Sequence, residues 1–362
     1  MTVTVDELLP SAQPLSQLDP SGRLTPLPGL RETSDAELLA LHRAMVIGRR
    51  LDTQATSLVK QGRLAVYPSS RGQDACQVGS VLALASHDWL FPTYRDTVAV
   101  TTRGVDPVQV LTLLRGDWHS GYDPYQYRVA PQCTPLATNT LHAVGLARAA
   151  ALKGEDTVAL VLLGDGATSE GDTHEALNFA AVWRAPVVFL VQNNGYAISV
   201  PLAKQTAAPS LSYKGIGYGM RSRLIDGNDA VTVFATVREA VEHARSGGGP
   251  TLIEAITYRM DAHTNADDAT RYRSAEEVAE WAGRDPIDRL ERHLRSVGAL
   301  TDELADEISA EAESRAADLR TGMQADVHPD PDDLFRYVLS EPSAALRAQA
   351  AEVHAIAAGG RP

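Results

Sequence analysis

Two short apolar runs separated by one helix-length segment constrain the fold of this chain most strongly. The runs are TVALVLL (157–163) and APVVFLV (185–191), and EGDTHEALNFAAVWR (170–184) lies between them. Apolar, β-branched runs without polar alternation are typical of strands that are buried on both faces. A strand, a crossover helix and a second strand predict a βαβ unit. The expected fold is therefore α/β, with a parallel sheet flanked by helices.

Composition divides the chain into three parts. Residues 1–33 are rich in Pro, Ser and Leu without periodicity, which indicates an extended N-terminal arm. Residues 34–272 begin with a capping box at Ser34 and then alternate between helix and strand patterns, as an α/β domain does. Residues 273–362 are charged and helical, and we expect this C-terminal region to pack on the same domain and on partner subunits.

Charge and cysteine content exclude several classes of protein. The 362 residues carry a formal net charge of −13, which argues against nucleic acid as the main partner. No segment has the apolar length of a membrane span, and the N-terminus lacks the pattern of a signal peptide. Cys76 and Cys133 form neither a disulfide framework nor a metal cluster. We therefore expect a cytoplasmic protein without a membrane partner.

Polar residues follow both apolar runs where the strands end. Gly164-Asp165-Gly166 follows the first run, and Asn193-Asn194 follows the second. Parallel strands end at the same edge of a sheet, where ligands of α/β proteins bind. The glycines allow the backbone to approach a diphosphate, but a carboxylate there needs an intervening cation. Because Asp165 and Asn194 offer hard oxygen ligands, the pattern predicts Mg²⁺ shared with phosphates.

Two simpler interpretations explain less of this pattern. A dinucleotide-binding fingerprint would need a glycine at Ser169, and it does not contain an acidic central residue. A purely structural turn capped by Asp165 would account for the GDG triplet alone. It would leave the two asparagines at the end of the partner strand unexplained.

The spacing from GDG to NN resembles the thiamine diphosphate-binding motif. Its extended form, GDGATSEGDTHEALNFAAVW followed by QNNGYAISVP, is similar to the α subunit of the E1 component of 2-oxo acid dehydrogenase complexes. The resemblance covers about residues 34–340 and includes LFPTYRD (90–96), CTPLATNTLHAVG (133–145) and TYRMDAHTNADDATRYR (257–273). It implies a thiamine diphosphate-binding fold with a helical C-terminal extension.

The resemblance also implies roles for individual residues. Mg²⁺ would be held by Asp165, Asn194 and the backbone carbonyl of Tyr196, and the catalytic residues would be His263 and Tyr94. A structural potassium ion would lie around Cys133, Pro135, Thr138 and Asn139. The implied cofactor-binding residues are Tyr94, Arg95, Thr134, Leu136, Gly164, Asp165, Gly166, Ala167, Asn194, Tyr196 and His263.

The chain departs from its mitochondrial relatives at several positions of these motifs. Gln192 stands where the branched-chain enzymes have a second phosphate-binding arginine, and Asp261 and Ala262 stand where relatives have glycine before His263. From its surroundings alone, His263 could also be a solvated loop residue or, with the two following aspartates, part of a metal site. Thr264 occupies a position phosphorylated in mitochondrial relatives, but we expect no such regulation in a bacterial-type chain.

The function that the resemblance implies is oxidative decarboxylation of a branched-chain 2-oxo acid such as 3-methyl-2-oxobutanoate. The acyl group would pass to the lipoyl group of an E2 acyltransferase, within branched-chain amino acid catabolism. A separate β subunit would supply the activating glutamate in an α2β2 heterotetramer. The open alternatives are a pyruvate dehydrogenase E1 α subunit, an acetoin dehydrogenase α subunit and a non-catalytic binding subunit.

Overall fold

A parallel sheet with helices on both faces forms the centre of the protein. The structure is a computed structural model that describes residues 8–118, 120–325 and 330–359. Within these residues the main sheet has five strands in the order β1-β2-β3-β7-β6, with all neighbours parallel. Its strands are β1 (Trp89–Phe91), β2 (Ala159–Gly164), β3 (Val187–Asn193), β6 (Arg221–Asp226) and β7 (Thr251–Ile256). A short antiparallel pair, β4 (Tyr196–Ala197) and β5 (Val200–Pro201), follows β3.

Helices connect and cover these strands. The predicted crossover helix lies at Gly171–Trp183, between the strands β2 and β3 that the sequence predicted. In chain order, the α-helices of the described residues are α1 (Asp35–Lys60), α2 (Asp74–Leu82), α3 (Thr97–Thr102), α4 (Pro107–Arg115), α5 (Pro124–Tyr127), α6 (Thr138–Lys153), α7 (Gly171–Trp183), α8 (Lys214–Gly217), α9 (Ala230–Arg245), α10 (Ala275–Ala282), α11 (Pro286–Ser296), α12 (Asp302–Gln324) and α13 (Ala344–Ala357).

Alternate residues of β2 serve the two faces of the sheet. Leu160 and Leu162 pack into one apolar cluster with residues of α9, and Val161 and Leu163 pack into another with residues of α6 and α7. All four side chains are buried, which explains why this strand has no polar alternation. The predicted α/β architecture is thereby confirmed.

The N-terminal arm is bound along the free edge of the sheet. The backbone of Leu15 exchanges hydrogen bonds with β6, donating to Leu224 O at 2.9 Å and accepting from Asp226 N at 2.9 Å. Leu18 is fully buried, and its N–H donates to the carboxylate of Asp229, which also caps α9. The arm therefore covers an edge strand that would otherwise expose unpaired backbone groups.

By internal contacts the chain forms two units, Met1–Gly322 and Met323–Pro362. The second contains α13, and there His354 Nε2 lies 2.8 Å from Asp332 Oδ1. Residues 1–7 of the predicted arm, and 326–329 and 360–362 of the predicted C-terminal region, lie outside the described residues. The domain boundaries expected from composition stay predictions. No helix in the described part of the chain has the length and apolar character of a membrane span.

Candidate active site

The two polar strand ends meet at one cavity. Gly164 is the register partner of Gln192, so Asp165 and Asn194 follow neighbouring strands β2 and β3 at the same edge of the sheet. Both side chains are buried, and both line a cavity of about 530 Å³. The sequence prediction that these residues lie together is therefore correct in its geometry.

All the residues predicted to bind the cofactor line this same cavity. Their roles stay predictions, but distant parts of the sequence have been brought together as expected. Leu136 is 39% exposed, and it lines the cavity. The predicted lining residues are Tyr94, Arg95, Thr134, Leu136, Gly164, Asp165, Gly166, Ala167, Asn194, Tyr196 and His263.

The two glycines beside Asp165 are needed for different structural reasons. A Cβ atom at Gly166 would lie 2.8 Å from the Cβ atom of Ala197, so the close approach of β4 requires glycine there. A Cβ atom at Gly164 would meet no atom within 4 Å and would point into open space. The absence of that side chain leaves room for a ligand to approach the backbone of the strand end.

Asp165 and Asn194 have the surroundings of cation ligands. Burial raises the pKa of Asp165, although a hydrogen bond from Gln205 Nε2 at 2.6 Å to Oδ2 opposes this effect. A buried carboxylate is better stabilised when a cation lies close to it. Asn194 donates from Nδ2 to Gln73 Oε1 at 3.0 Å, and its Oδ1 accepts from Tyr196 N at 3.2 Å.

Arg95 fixes the position and the tautomer of His263. Its Nη2 lies 2.9 Å from His263 Nδ1 and donates to the carbonyl of the same residue at 3.1 Å, while Nη1 donates to Ser69 O at 3.0 Å. A guanidinium group can only donate, so Nδ1 of His263 must be an acceptor. The ring proton therefore lies on Nε2. The Tyr94 ring meets the His263 ring edge to face, with centroids 6.1 Å apart.

The loop that carries His263 is held by its own polar side chains. Asp267 Oδ2 accepts from His263 N at 2.8 Å and also accepts the hydroxyl of Tyr272. Asp268 instead caps the following turn at Thr270. Over residues 8–118, 120–325 and 330–359, no three His, Cys, Asp or Glu side chains form a group that could hold a metal. The alternative of a metal site built from His263 and the two aspartates therefore has no support.

Sequence reasoning missed three residues of the site. Gln205 donates a hydrogen bond to Asp165, and Gln73 accepts one from Asn194. Arg259 lines the cavity. Arg259 Nη2 donates to Tyr272 Oη and Ile198 O, each at 2.8 Å, while its buried Nε has no hydrogen-bond partner among the described residues. A glutamine in a helical pattern has no distinguishing signal, but Arg259 stands within a segment already singled out for His263.

Two of the residues expected around potassium, Asn139 and Cys133, form hydrogen bonds to nearby backbone carbonyl groups. Asn139 Nδ2 donates to Leu162 O at 2.9 Å and to Phe91 O at 3.2 Å, which ties α6 to the ends of β1 and β2. Cys133 Sγ donates to Pro135 O at 3.3 Å. The potassium site stays a prediction, as does the absence of regulation at Thr264, which also lines the cavity.

A parallel α/β sheet with a polar cavity at the carboxyl ends of its strands has a ligand site where open α/β folds place one. Residues 42–331 match the family model described as dehydrogenase E1 component, and the chain belongs to that family. The family that the sequence motifs predicted is thereby confirmed.

Relatives of known designation agree with this membership. The chain is 47% identical over 325 residues to the 3-methyl-2-oxobutanoate dehydrogenase subunit alpha of Mycobacterium tuberculosis, covering 90% of this chain and 89% of that protein. It is 37% identical over 303 residues to the pyruvate dehydrogenase E1 component subunit alpha of Staphylococcus aureus, covering 83% and 82%.

The electrostatic environment of His263 predicts an unusual titration. Burial, together with the charges of Arg95 and Arg259, lowers the pKa of His263 to about 4. Ring NMR signals of His263 should therefore titrate near pH 4, and Arg95→Gln should raise this pKa. Arg71→Gln, which removes a surface charge outside the cavity lining, should leave it unchanged. An ordinary pKa for wild-type His263 would contradict the geometry.

The same shift fixes the sign of a stability effect. The unfolded chain binds a proton at His263 between its ordinary pKa of 6.5 and the lowered value of about 4, whereas the folded chain does not. This residue should therefore make folding less favourable as the pH falls through that interval. His263→Gln should weaken the pH dependence of the free energy of unfolding there, as measured by urea denaturation.

Proposed function

We propose that this chain is the α subunit of a 2-oxo acid dehydrogenase E1 that binds thiamine diphosphate through Mg²⁺. The observation that carries the proposal is the meeting of Asp165 and Asn194 at neighbouring ends of parallel strands, in one cavity with Arg95 and His263. Family membership supports it, since the motif that defines these positions lies inside the matched region.

The residues present fit a magnesium diphosphate. Asp165 is a buried carboxylate and Asn194 presents an amide oxygen, and the backbone carbonyl of Tyr196 would complete an oxygen donor set of the kind Mg²⁺ shares with phosphates. Arg95 and Arg259 add positive charge to the same cavity, which favours an anionic ligand. The open space at Gly164 lets that ligand reach the backbone.

Thiamine diphosphate, when bound, supplies the electron sink for decarboxylation. The chain contributes binding, orientation and proton handling. Arg95 contacts the imidazole and lines the cavity, so it can hold an anionic group beside His263. Neutral His263 keeps its proton on Nε2 and can donate a hydrogen bond to a substrate oxygen while the low pKa prevents a permanent charge. Tyr94 packs against the ring and restricts its orientation.

An apolar wall beside these charged groups supports a branched-chain substrate. Val66, Leu114, Leu136 and Ile198 line the cavity together with Arg95 and His263. We infer that the carboxylate and carbonyl of the substrate face the polar side and that its aliphatic chain faces this wall. The greater similarity to a 3-methyl-2-oxobutanoate dehydrogenase subunit favours that substrate, and similarity to a pyruvate dehydrogenase subunit makes pyruvate the second candidate.

The remaining parts of the reaction are assigned to partners. Both relatives are named as alpha subunits. We propose that a β subunit completes the site in an α2β2 assembly and supplies the activating glutamate, and that a lipoylated E2 accepts the acyl group.

Replacement of Asp165 tests the cofactor site directly. Asp165→Ala removes the charged metal ligand and should weaken Mg²⁺-dependent thiamine diphosphate binding by at least about 100-fold, since even outer-shell substitutions cost about 10- to 100-fold. The measurement is the cofactor-induced rise in unfolding temperature, because a ligand of the folded state stabilises it. Asp172→Ala, an exposed carboxylate in the first turn of α7, should behave as wild type. Unchanged binding by Asp165→Ala would favour a different use of the fold.

Reconstitution with a β subunit tests partner and substrate together. We expect the purified α chain alone to show no decarboxylation and the α/β pair to be active. The kcat/KM for 3-methyl-2-oxobutanoate should exceed that for pyruvate by at least about tenfold, since it has two more carbon atoms and a single methylene group in an apolar pocket already contributes about that much. Full activity of the α chain alone would contradict the partner assignment, and a preference for pyruvate would contradict the substrate assignment.

A further inference from the structure

Two buried amide side chains connect Asn194 to a carboxylate outside the cavity lining. Asn194 Nδ2 donates to Gln73 Oε1 at 3.0 Å, Gln73 Nε2 donates to Gln192 Oε1 at 2.9 Å, and Gln192 Nε2 donates to Asp96 Oδ1 at 2.7 Å. All four residues are buried. We call Asp96, Gln192, Gln73 and Asn194 the amide relay.

Asp96 determines which way each amide group of the relay is turned. The carboxylate accepts three hydrogen bonds, from Gln192 on Oδ1 and from the backbone N–H and hydroxyl of Thr93 on Oδ2, each at 2.7 Å. Burial raises the pKa of Asp96, but the hydrogen bonds from Gln192 and Thr93 oppose this effect and stabilise the ionised carboxylate. An ionised carboxylate only accepts, so Gln192 must turn its NH2 group toward it. Its oxygen then faces Gln73. Gln73 must therefore turn its NH2 group toward Gln192 and its oxygen toward Asn194.

The last member of the relay is an expected metal ligand. Because Gln73 presents its oxygen, Asn194 must turn its NH2 group away from the loop of Tyr196 and toward Gln73. Its oxygen is left on the side of the Tyr196 N–H, where the Mg²⁺ donor set is proposed. An amide turned the other way would present an NH2 group, which cannot bind a cation.

We propose that Asp96 is a positioning residue that fixes, through Gln192 and Gln73, the side-chain orientation in which Asn194 offers oxygen to Mg²⁺. This inference rests on the proposed function. Among the described residues, Asp96 is not part of the cavity lining, so it acts on the metal through other side chains. Outer-shell partners orient the ligands of many metal sites in this way.

Asp96→Asn should reverse the relay. The two donors of Thr93 hold the amide oxygen at the place of Oδ2, so the new NH2 group faces Gln192. The donor–donor contact is relieved when Gln192, Gln73 and Asn194 each turn over, which places Nδ2 of Asn194 on the metal side. The Mg²⁺ dissociation constant in saturating thiamine diphosphate, measured by calorimetry on the reconstituted α/β pair, should rise about 10- to 100-fold.

A second substitution should restore the original orientation of Asn194. In Asp96→Asn/Gln73→Glu, the carboxylate moves along the relay and the net charge is unchanged. The amide introduced at position 96 can donate to Gln192, and both Gln192 and Asn194 can donate to the carboxylate introduced at position 73. Every group then has a partner, and Asn194 keeps its oxygen toward the metal. The relay predicts that Mg²⁺ affinity returns to the wild-type value, whereas a merely structural role for Asp96 predicts no such rescue.

Controls separate the relay from general damage. Asp88→Asn changes another fully buried carboxylate, one that binds Arg245 and Val158 N, and should leave Mg²⁺ affinity unchanged. If Asp96→Asn does not fold, Gln73→Met tests the relay at its next member. It removes the acceptor of Asn194 and should weaken Mg²⁺ binding about 10- to 100-fold, whereas Asp88→Asn should not.

Each outcome has a distinct meaning. The relay is overturned if Asp96→Asn folds and binds Mg²⁺ as wild type does, if the double variant stays as weak as the single one, or if Gln73→Met binds Mg²⁺ as wild type does. In all these cases wild type binds Mg²⁺ with thiamine diphosphate, so the proposed function survives. Failure of wild type to bind would instead overturn the proposed cofactor site, and the role of the relay with it.

Discussion

The pairing of β2 with β3 is the constraint on which the site depends. Parallel strands in register end together, and here that places a buried carboxylate at Asp165 beside a buried amide at Asn194. Burying an ionised carboxylate is unfavourable unless a cation or several donors compensate for the lost hydration. The fold therefore creates a position where a cation is stabilising, and the surrounding arginines make the same cavity suitable for an anion. A metal bound to phosphate satisfies both requirements.

Much of this arrangement could be predicted from the sequence because the decisive features are local. The run from Ala159 to Gly164 has no polar alternation, and the GDG and NN segments stand directly after strands. Such patterns require no knowledge of distant contacts, so the central strands, the crossover helix and the polar strand ends at Asp165 and Asn194 were found. Family motifs added Arg95 and His263, whose chemistry is not evident from their immediate neighbours.

The parts that could not be predicted depend on tertiary contacts. Helix α9 was not recognised because its first two turns are rich in valine and threonine, which favour strands in isolation. Burial against the sheet overrides that preference. Strand β6 begins with three polar residues, Arg221 to Arg223, and it is recognisable as a strand only through its pairing with β7 and with the arm. The relay glutamines Gln73 and Gln192 acquire their role only when two elements distant in sequence place them in contact.

The central claim is that Asp165, Asn194 and the carbonyl of Tyr196 hold one divalent cation beside a diphosphate. The most direct measurement is a crystal structure with Mn²⁺ in place of Mg²⁺ and with thiamine diphosphate, using anomalous scattering to locate the metal. The account predicts a single strong peak at the carboxyl ends of β2 and β3, bonded to these three residues and to phosphate oxygens. A cofactor bound in the cavity with the metal elsewhere, or with no metal, would contradict it.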